Sequence, residues 1–236
     1  MKAAVIHEFG DVGVLKYDDI PTPKTEPGHI LIKVLAAGIN RLDHYIREGS
    51  VIPELSFPHI LGVDAAGEIA ELGKGVTEFS VGERVVLMPG FPLEEDEYEI
   101  HPTSLAPSFT LPGLGVEGTY AQYIEVPARF VLKDETGLRP EEVATLPVTL
   151  ATAVRAVKEV GEAKAGDHVL VHSGASGSGS MQIQVAKALG AQVATTVRGD
   201  AKGEYAKAMG ADLVINTRKG DFVEQVREWT DGRGAD

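Results

Sequence analysis

The sequence contains no cysteine, is short of basic residues and has no long apolar run. Without thiols the chain has no disulfide, no thiolate nucleophile and no cysteine-ligated zinc of the structural or the dehydrogenase kind. A cytoplasmic location fits that composition. Lys and Arg number 22 against 35 Asp and Glu, a formal charge of −13. No excess of positive charge is available to attract phosphate, so neither a nucleic-acid nor a membrane partner is expected. The opening MKAAVIHEFG lacks the apolar core of a signal peptide, and no apolar stretch reaches the ~18 residues that a membrane span requires. Glycine is abundant, at 27 of 236 residues. It clusters before apolar periodic stretches, where it permits tight turns and close backbone approach in a soluble globular chain.

The character of the chain changes just before residue 135. Earlier, short β-rich stretches (30–34, 66–71, 84–87 and 120–126) are separated by Gly and Pro, the pattern of an irregular or barrel-like β unit. Later, strands alternate with helices. A helical stretch opens at Pro140, is interrupted by Pro147 and resumes through Leu150, Val154 and Val157. Three βα rounds follow. HVLVH (168–172) precedes a helix with Met181, Val185 and Ala188 on its expected inner face. AQVATTV (191–197) precedes one with Tyr205, Ala208 and Met209 inward, and DLVIN (212–216) precedes one striped by Phe222, Val226 and Trp229. Parallel strands need helical crossovers, so the rounds predict an α/β, doubly wound parallel sheet. The expected domains are 1–133 and 134–236. After DGRGAD (231–236) the pattern calls for a fourth strand, so the sheet is expected to be incomplete. Glu94, Glu95, Asp96, Glu97 and Glu99 form an acidic run among prolines. It is read as a solvated loop, with a metal or cationic partner as the alternative.

The string SGASGSGSMQIQVAKALGA (173–191) carries the most chemistry, because it lies between a predicted strand and a predicted helix. Gly174, Gly177 and Gly179, with Ser176 and Ser178 between them, allow a sharp turn. The helix start then presents N–H groups to a pyrophosphate. Ser176 occupies the middle glycine position of the strict G-x-G-x-x-G pattern, so context among βα rounds carries the assignment. An acid at the end of the second strand would bind the ribose 2′-hydroxyl of NAD. Here Thr196 and Arg198 occupy that end, with Lys202 one turn on. Arg198 suits a 2′-phosphate, which favours NADP(H). The nearby Asp200 keeps NAD(H) open.

The strings AAGINRLDHYIREG (36–49), FPHILGVDAAGEI (57–69), VGERVV (81–86), GTYAQYIEVPA (118–128) and LPVTLATA (146–153), with the glycine turn, resemble those of the medium-chain dehydrogenases/reductases over essentially the whole chain. The resemblance implies a GroES-like catalytic domain followed by a Rossmann domain, a small-molecule substrate, and a homodimer or homotetramer. The positions that hold catalytic zinc in zinc-dependent members are Asn40, Val63 and Val148 here. One carboxamide and two apolar side chains make zinc unexpected. The family's four further cysteines fall on Leu93, Asp96, Glu99 and Pro107. The remaining features resemble the zinc-independent quinone oxidoreductase branch, where Asn40, Asp43 and Tyr45 would face nicotinamide and substrate. Asn40 and Asp43 are equally suited to capping a helix, and Leu42, Tyr45 and Ile46 to forming a buried stripe. Val51 replaces a second tyrosine of that branch. His59 is either a proton donor at the cleft or a hydrogen-bonded turn histidine. Asp64 stands where the family carries a glutamate, and a structural hydrogen bond is expected of it. Thr152 aligns with a threonine that contacts the nicotinamide carboxamide.

The expected function is an NADPH-dependent oxidoreductase that delivers hydride to a quinone, an enone or another activated carbonyl without zinc. An alcohol dehydrogenase-like carbonyl reductase is one alternative, with no metal or with an atypical set such as Asp43, His59 and Asp64. A non-catalytic NADP-binding protein is the other.

Overall fold

A computed structural model describes residues 1–51 and 55–236. It falls into two units, Met1–Val148 and Thr149–Asp236.

The first unit is built on antiparallel pairing. Its strands are β1 (Lys2–Ile6), β2 (Leu15–Asp19), β3 (His29–Gly38), β4 (His59–Ile60), β5 (Asp64–Leu72), β6 (Arg84–Leu87), β7 (Phe91–Pro92), β8 (Phe109–Thr110), β9 (Tyr123–Pro127) and β10 (Val131–Lys133). A five-stranded sheet runs β10-β6-β5-β3-β9, and a three-stranded sheet runs β2-β1-β4. Alternation decides which face is core. Ile30 and Ile32 of β3 pair with Val126 and Ile124 of β9. All four are buried with Ile69, Val85 and Leu87, whereas Lys33 is exposed. Between β3 and β4 lies the short helix α1 (Arg41–Arg47), and α2 (Pro140–Val143) follows β10.

The acidic run sits in a lobe closed by β7 and β8, where Phe91 pairs with Thr110. Glu94, Glu95, Asp96 and Glu99 are exposed, as expected of a solvated loop, and Glu97 is half-buried. Glu97 accepts hydrogen bonds from the Ser108 N–H (2.9 Å) and hydroxyl (2.6 Å), and Glu99 pairs with Arg129 at 2.8 Å. Among the described residues, none of these carboxylates belongs to a trio of His, Asp or Glu ligand atoms within 4.8 Å of one another.

Helix α3 (Pro147–Val154) continues into a π-helical turn, Arg155–Val160. In the second unit β11 (His168–Val171), β12 (Gln192–Val197) and β13 (Leu213–Asn216) form a parallel sheet in that order. The strands alternate with α4 (Gly177–Ala188), α5 (Asp200–Ala208) and α6 (Phe222–Trp229), as the three βα rounds require. The Asp236 N–H donates to the His168 carbonyl at 3.0 Å, on β11.

Two inner faces differ from expectation. Helix α4 buries Gly179, Ser180, Ile183 and Ala186, while Met181 and Val185 are half-buried and Ala188 is exposed. Helix α5 buries Ala206 and leaves Tyr205 and Ala208 exposed. Small residues on either side of the fully buried Ile183 make the α4 contact, and Met181 and Val185 lie towards its flanks, as Tyr205 does beside Ala206 on α5. In α6, Phe222, Val226 and Trp229 pack as expected, against Ala194 and Ile215. Among the described residues no helix is long and apolar enough to cross a membrane.

Candidate functional site

The turn between β11 and α4 is held from below. Ser173 adopts a left-handed conformation (φ 58°), and its N–H donates to the Thr196 hydroxyl at 3.1 Å. Its carbonyl accepts the Ser176 N–H at 2.8 Å, and the Gly174 N–H donates to the Thr196 carbonyl at 3.1 Å. Ser176 caps α4 by accepting the Gly179 N–H on its hydroxyl at 3.0 Å. Gly177 and Ser178 open the helix, so their N–H groups have no intrahelical acceptor. The Ser178 hydroxyl accepts from Gln182 at 2.9 Å.

Two glycines here have different reasons. A Cβ on Gly179 would lie 2.3 Å from the Ser173 carbonyl oxygen, so packing alone excludes a side chain. A Cβ on Gly177 would meet only Thr149 Cγ2, at 3.5 Å. No contact among the described residues requires glycine at 177. The open space above it, beside free N–H groups, fits the close approach of a pyrophosphate.

At the end of β12, Arg198 is exposed and makes no ion pair or hydrogen bond among the described residues. Lys202 on α5 is likewise exposed and unpaired among them. Asp200 is engaged: Lys219 Nζ reaches its two oxygens at 2.8 and 2.9 Å, and Asn216 Nδ2 donates at 3.0 Å. These contacts hold its carboxyl below the usual range. Thr196 faces inward, with its hydroxyl near His172 Nδ1 (3.1 Å) as well as the Ser173 N–H, and so supports the turn. Thr152 is exposed on α3, with no hydrogen bond from its hydroxyl among the described residues.

In the first unit a carboxylate network surrounds the start of α1. Asp43 accepts the Asn40 N–H on Oδ2 at 2.6 Å, the helix-capping arrangement that the spacing suggested. The same oxygen accepts the Tyr120 hydroxyl at 2.8 Å. Asn40 Nδ2 donates to Asp64 Oδ2 at 2.9 Å, and Asp64 Oδ1 accepts the Val148 N–H at 3.1 Å. Asp64 thereby gathers Asn40, its own neighbour Val63, and Val148 at one place. The donor set there is a carboxamide and two isopropyl groups, which does not fit zinc.

Burial raises the Asp64 pKa to about 6, against the lowering effect of Asn40 and the Val148 N–H; the Asp43 charge adds to the rise. Burial also raises Asp43, partly offset by the Asn40 N–H, the Tyr120 hydroxyl and the Gly62 N–H. Tyr120 is raised by burial and by the Asp43 charge, so its hydroxyl remains a donor.

The other candidates stand apart from this network. Tyr45 is 39% exposed rather than part of a buried stripe; its ring lies under the Arg41 guanidinium at 5.8 Å. Its hydroxyl makes no hydrogen bond among the described residues. His59 is buried on β4, with Nε2 3.0 Å from the Gly113 carbonyl, a contact that ties the strand to the loop at Gly113. Asp43, His59 and Asp64 are not brought together as metal ligands. The trio found among the described residues is Glu26, His29 and Glu125. Sequence reasoning missed that trio and the role of Tyr120, whose partner Asp43 is 77 residues away. No local spacing signals such pairs.

Residues 26–136 match the alcohol dehydrogenase GroES-like domain, and residues 177–236 match the zinc-binding dehydrogenase family. An alcohol dehydrogenase from Geobacillus stearothermophilus is 34% identical over 238 residues, covering 98% of this chain and 68% of that protein. A 2-haloacrylate reductase from Burkholderia sp is 33% identical, covering 99% and 64%. A crystal structure of an NAD-dependent alcohol dehydrogenase superimposes with a TM-score of 0.96 at 35% identity, covering 100% of this chain and 69% of that one. Escherichia coli quinone oxidoreductase complexed with NADPH gives a TM-score of 0.80 at 28% identity, covering 99% and 64%. The chain spans about two-thirds of the length of these proteins. The matches in sequence and in fold extend over nearly the whole chain, and the chain belongs to the medium-chain dehydrogenase/reductase superfamily, which holds zinc-containing alcohol dehydrogenases and quinone oxidoreductases alike.

Proposed function

We propose that the chain binds NADP(H) on the turn after β11 and serves the reduction of a quinone, an enone or another activated carbonyl or alkene without catalytic zinc. One observation carries the cofactor assignment. Arg198 is an unpaired cation at the end of β12, while Asp200, the acid that would receive an NAD ribose, is bound to Lys219 and Asn216. Gly177 and Ser178 offer their N–H groups to the pyrophosphate, Arg198 and Lys202 take the 2′-phosphate, and the Thr152 hydroxyl is free to bond the carboxamide.

When bound, NADPH supplies the reducing equivalent as a hydride. An acceptor that delocalises the resulting negative charge, as a quinone does, asks little of the protein. Asn40, held in one orientation by Asp64, is the assigned hydrogen-bond donor, with the unpaired Tyr45 hydroxyl, which stands apart from that network, as the alternative. Asp43 and Tyr120 hold the first turn of α1. The relative named 2-haloacrylate reductase and the NADPH-bound quinone oxidoreductase support this choice. The similarity to alcohol dehydrogenases favours a second reading, the oxidoreduction of an alcohol and its carbonyl.

Calorimetric titration with NADPH and NADH tests the cofactor, and NADPH consumption across quinones, enones and simple ketones tests the acceptor. Tighter NADH binding overturns the first assignment. Turnover confined to simple alcohols and ketones favours the second reading, and binding without any turnover leaves a non-catalytic NADP-binding protein.

A further inference from the structure

A cavity of about 500 Å³ lies in the first unit, formed between strand β9, the lobe of β7 and β8, and the segment near Ile20. Its walls are mainly apolar and aromatic: Ile60, Phe91, Tyr98, Val116 and Tyr123. Two of the rings are fixed by Phe130, which stacks on Phe91 at 5.7 Å and meets Tyr98 edge-on at 5.0 Å. The alternation of β9 supplies the charge. Ile124 and Val126 belong to the core, whereas Glu125, opposite Leu31 in the register, shares a face with His29, which pairs with Pro127.

Glu125 and Glu117 both line this cavity, and no Lys or Arg does. Each carboxylate is pinned through one oxygen. Glu125 Oε1 receives His29 Nδ1 at 2.6 Å and the Glu26 N–H at 3.2 Å, and Glu117 Oε2 receives the Ile60 N–H at 2.8 Å. The remaining oxygens make no hydrogen bond among the described residues. The α-amino group of Met1 at the cavity edge is spent on the Ile20 carbonyl at 2.7 Å. The Glu125 side chain is only 17% exposed, so its charge is poorly hydrated.

We propose that this cavity is a binding site for a small organic ammonium ion, with the carbon skeleton among the rings and the cationic head at Glu125. Aromatic faces and an immobilised carboxylate, with no Lys or Arg among the described lining residues, are complementary to an alkyl or aryl ammonium; His29, the one basic ring there, is spent on Glu125 Oε1 and leaves the second oxygen to the cationic head. The ligand atoms of Glu26, His29 and Glu125 lie within 4.8 Å of one another and raise a divalent metal as the competitor. Glu26 is exposed, Glu125 Oε1 already serves two N–H donors, and the rings contribute nothing to metal coordination, so the organic cation is the better match. The site shares no residue with the glycine turn and does not depend on the proposed cofactor.

The test is titration of the chain with 2-phenylethylammonium, followed by calorimetry and by backbone amide shifts, beside its neutral analogue 2-phenylethanol. The ammonium ion should bind saturably, shift amides of β9 and β7, and bind at least tenfold tighter than the alcohol. Glu125→Gln should weaken it at least tenfold. Leu93→Trp, at an exposed wall position where folding is not at stake, should weaken both probes by filling space. The proposal is overturned by equal binding of the two probes, by an unchanged affinity in Glu125→Gln, or by no saturable binding. Zn2+ binding lost in Glu26→Gln, without ammonium binding, also overturns it. NADPH affinity should be the same in all these variants, which separates this site from the cofactor assignment.

Discussion

Asp64 is 1% exposed, yet its two oxygens are divided between Asn40 Nδ2 and the Val148 N–H. These two donors do not repay the loss of water, so its pKa rises from 3.8 to about 6. A folded-state pKa above the unfolded value means that the folded chain keeps a proton which the unfolded chain releases. The stabilisation is complete below about pH 4 and is lost as pH rises through about 6, with an upper bound of ~3 kcal/mol. Urea midpoints of the wild type and Asp64→Asn between pH 4 and 8 should diverge with this slope; parallel profiles would contradict it. At the other residue of consequence, Arg198→Ala should weaken NADPH binding by roughly tenfold, about 1.4 kcal/mol, and leave NADH binding unchanged. An equal loss for both nucleotides would remove Arg198 from 2′-phosphate recognition.

At the scale of the element, α4 separates glycines needed by the fold from glycines free to serve a ligand. Gly179→Ala sets a methyl group 2.3 Å from the Ser173 carbonyl oxygen. It should cost roughly 1–3 kcal/mol and lower the melting temperature. Gly177→Ala meets only an ordinary contact at 3.5 Å and improves helix propensity. Its melting temperature should hold or rise while NADPH affinity falls roughly tenfold, about 1.4 kcal/mol. Unchanged affinity in a folded Gly177→Ala protein would place the pyrophosphate elsewhere.

The elements also show how far sequence reasoning reaches. The strands 168–171, 192–197 and 213–216 were legible because buried parallel strands are short apolar runs between helices. The contact faces of α4 and α5 were not, because hydrophobicity marks Met181 and Tyr205 as inner residues. The helices turn Gly179, Ser180, Ile183 and Ala186 of α4 and Ala206 of α5 to the sheet, an orientation that hydrophobicity alone does not reveal.

For the whole molecule, a zinc position without zinc ligands yields a direct prediction. Metal analysis of the purified protein should find no stoichiometric zinc at this position, and a chelator should leave NADPH consumption unchanged. Zinc that is essential to turnover would refute the proposed chemistry. The charge of −13 carries a second expectation, that the protein is not retained on immobilised DNA or heparin at neutral pH.

Composition and local pattern were enough to exclude thiol chemistry, to order the βα rounds and to locate the glycine turn, because these properties depend on residue type and short-range spacing. The Asp43–Tyr120 hydrogen bond, the junction at Asp64 and the engagement of Asp200 by Lys219 were decided only by the tertiary structure. Each joins side chains distant along the chain, and burial, which sets the ionisation of Asp64, exists only once the chain has folded around them.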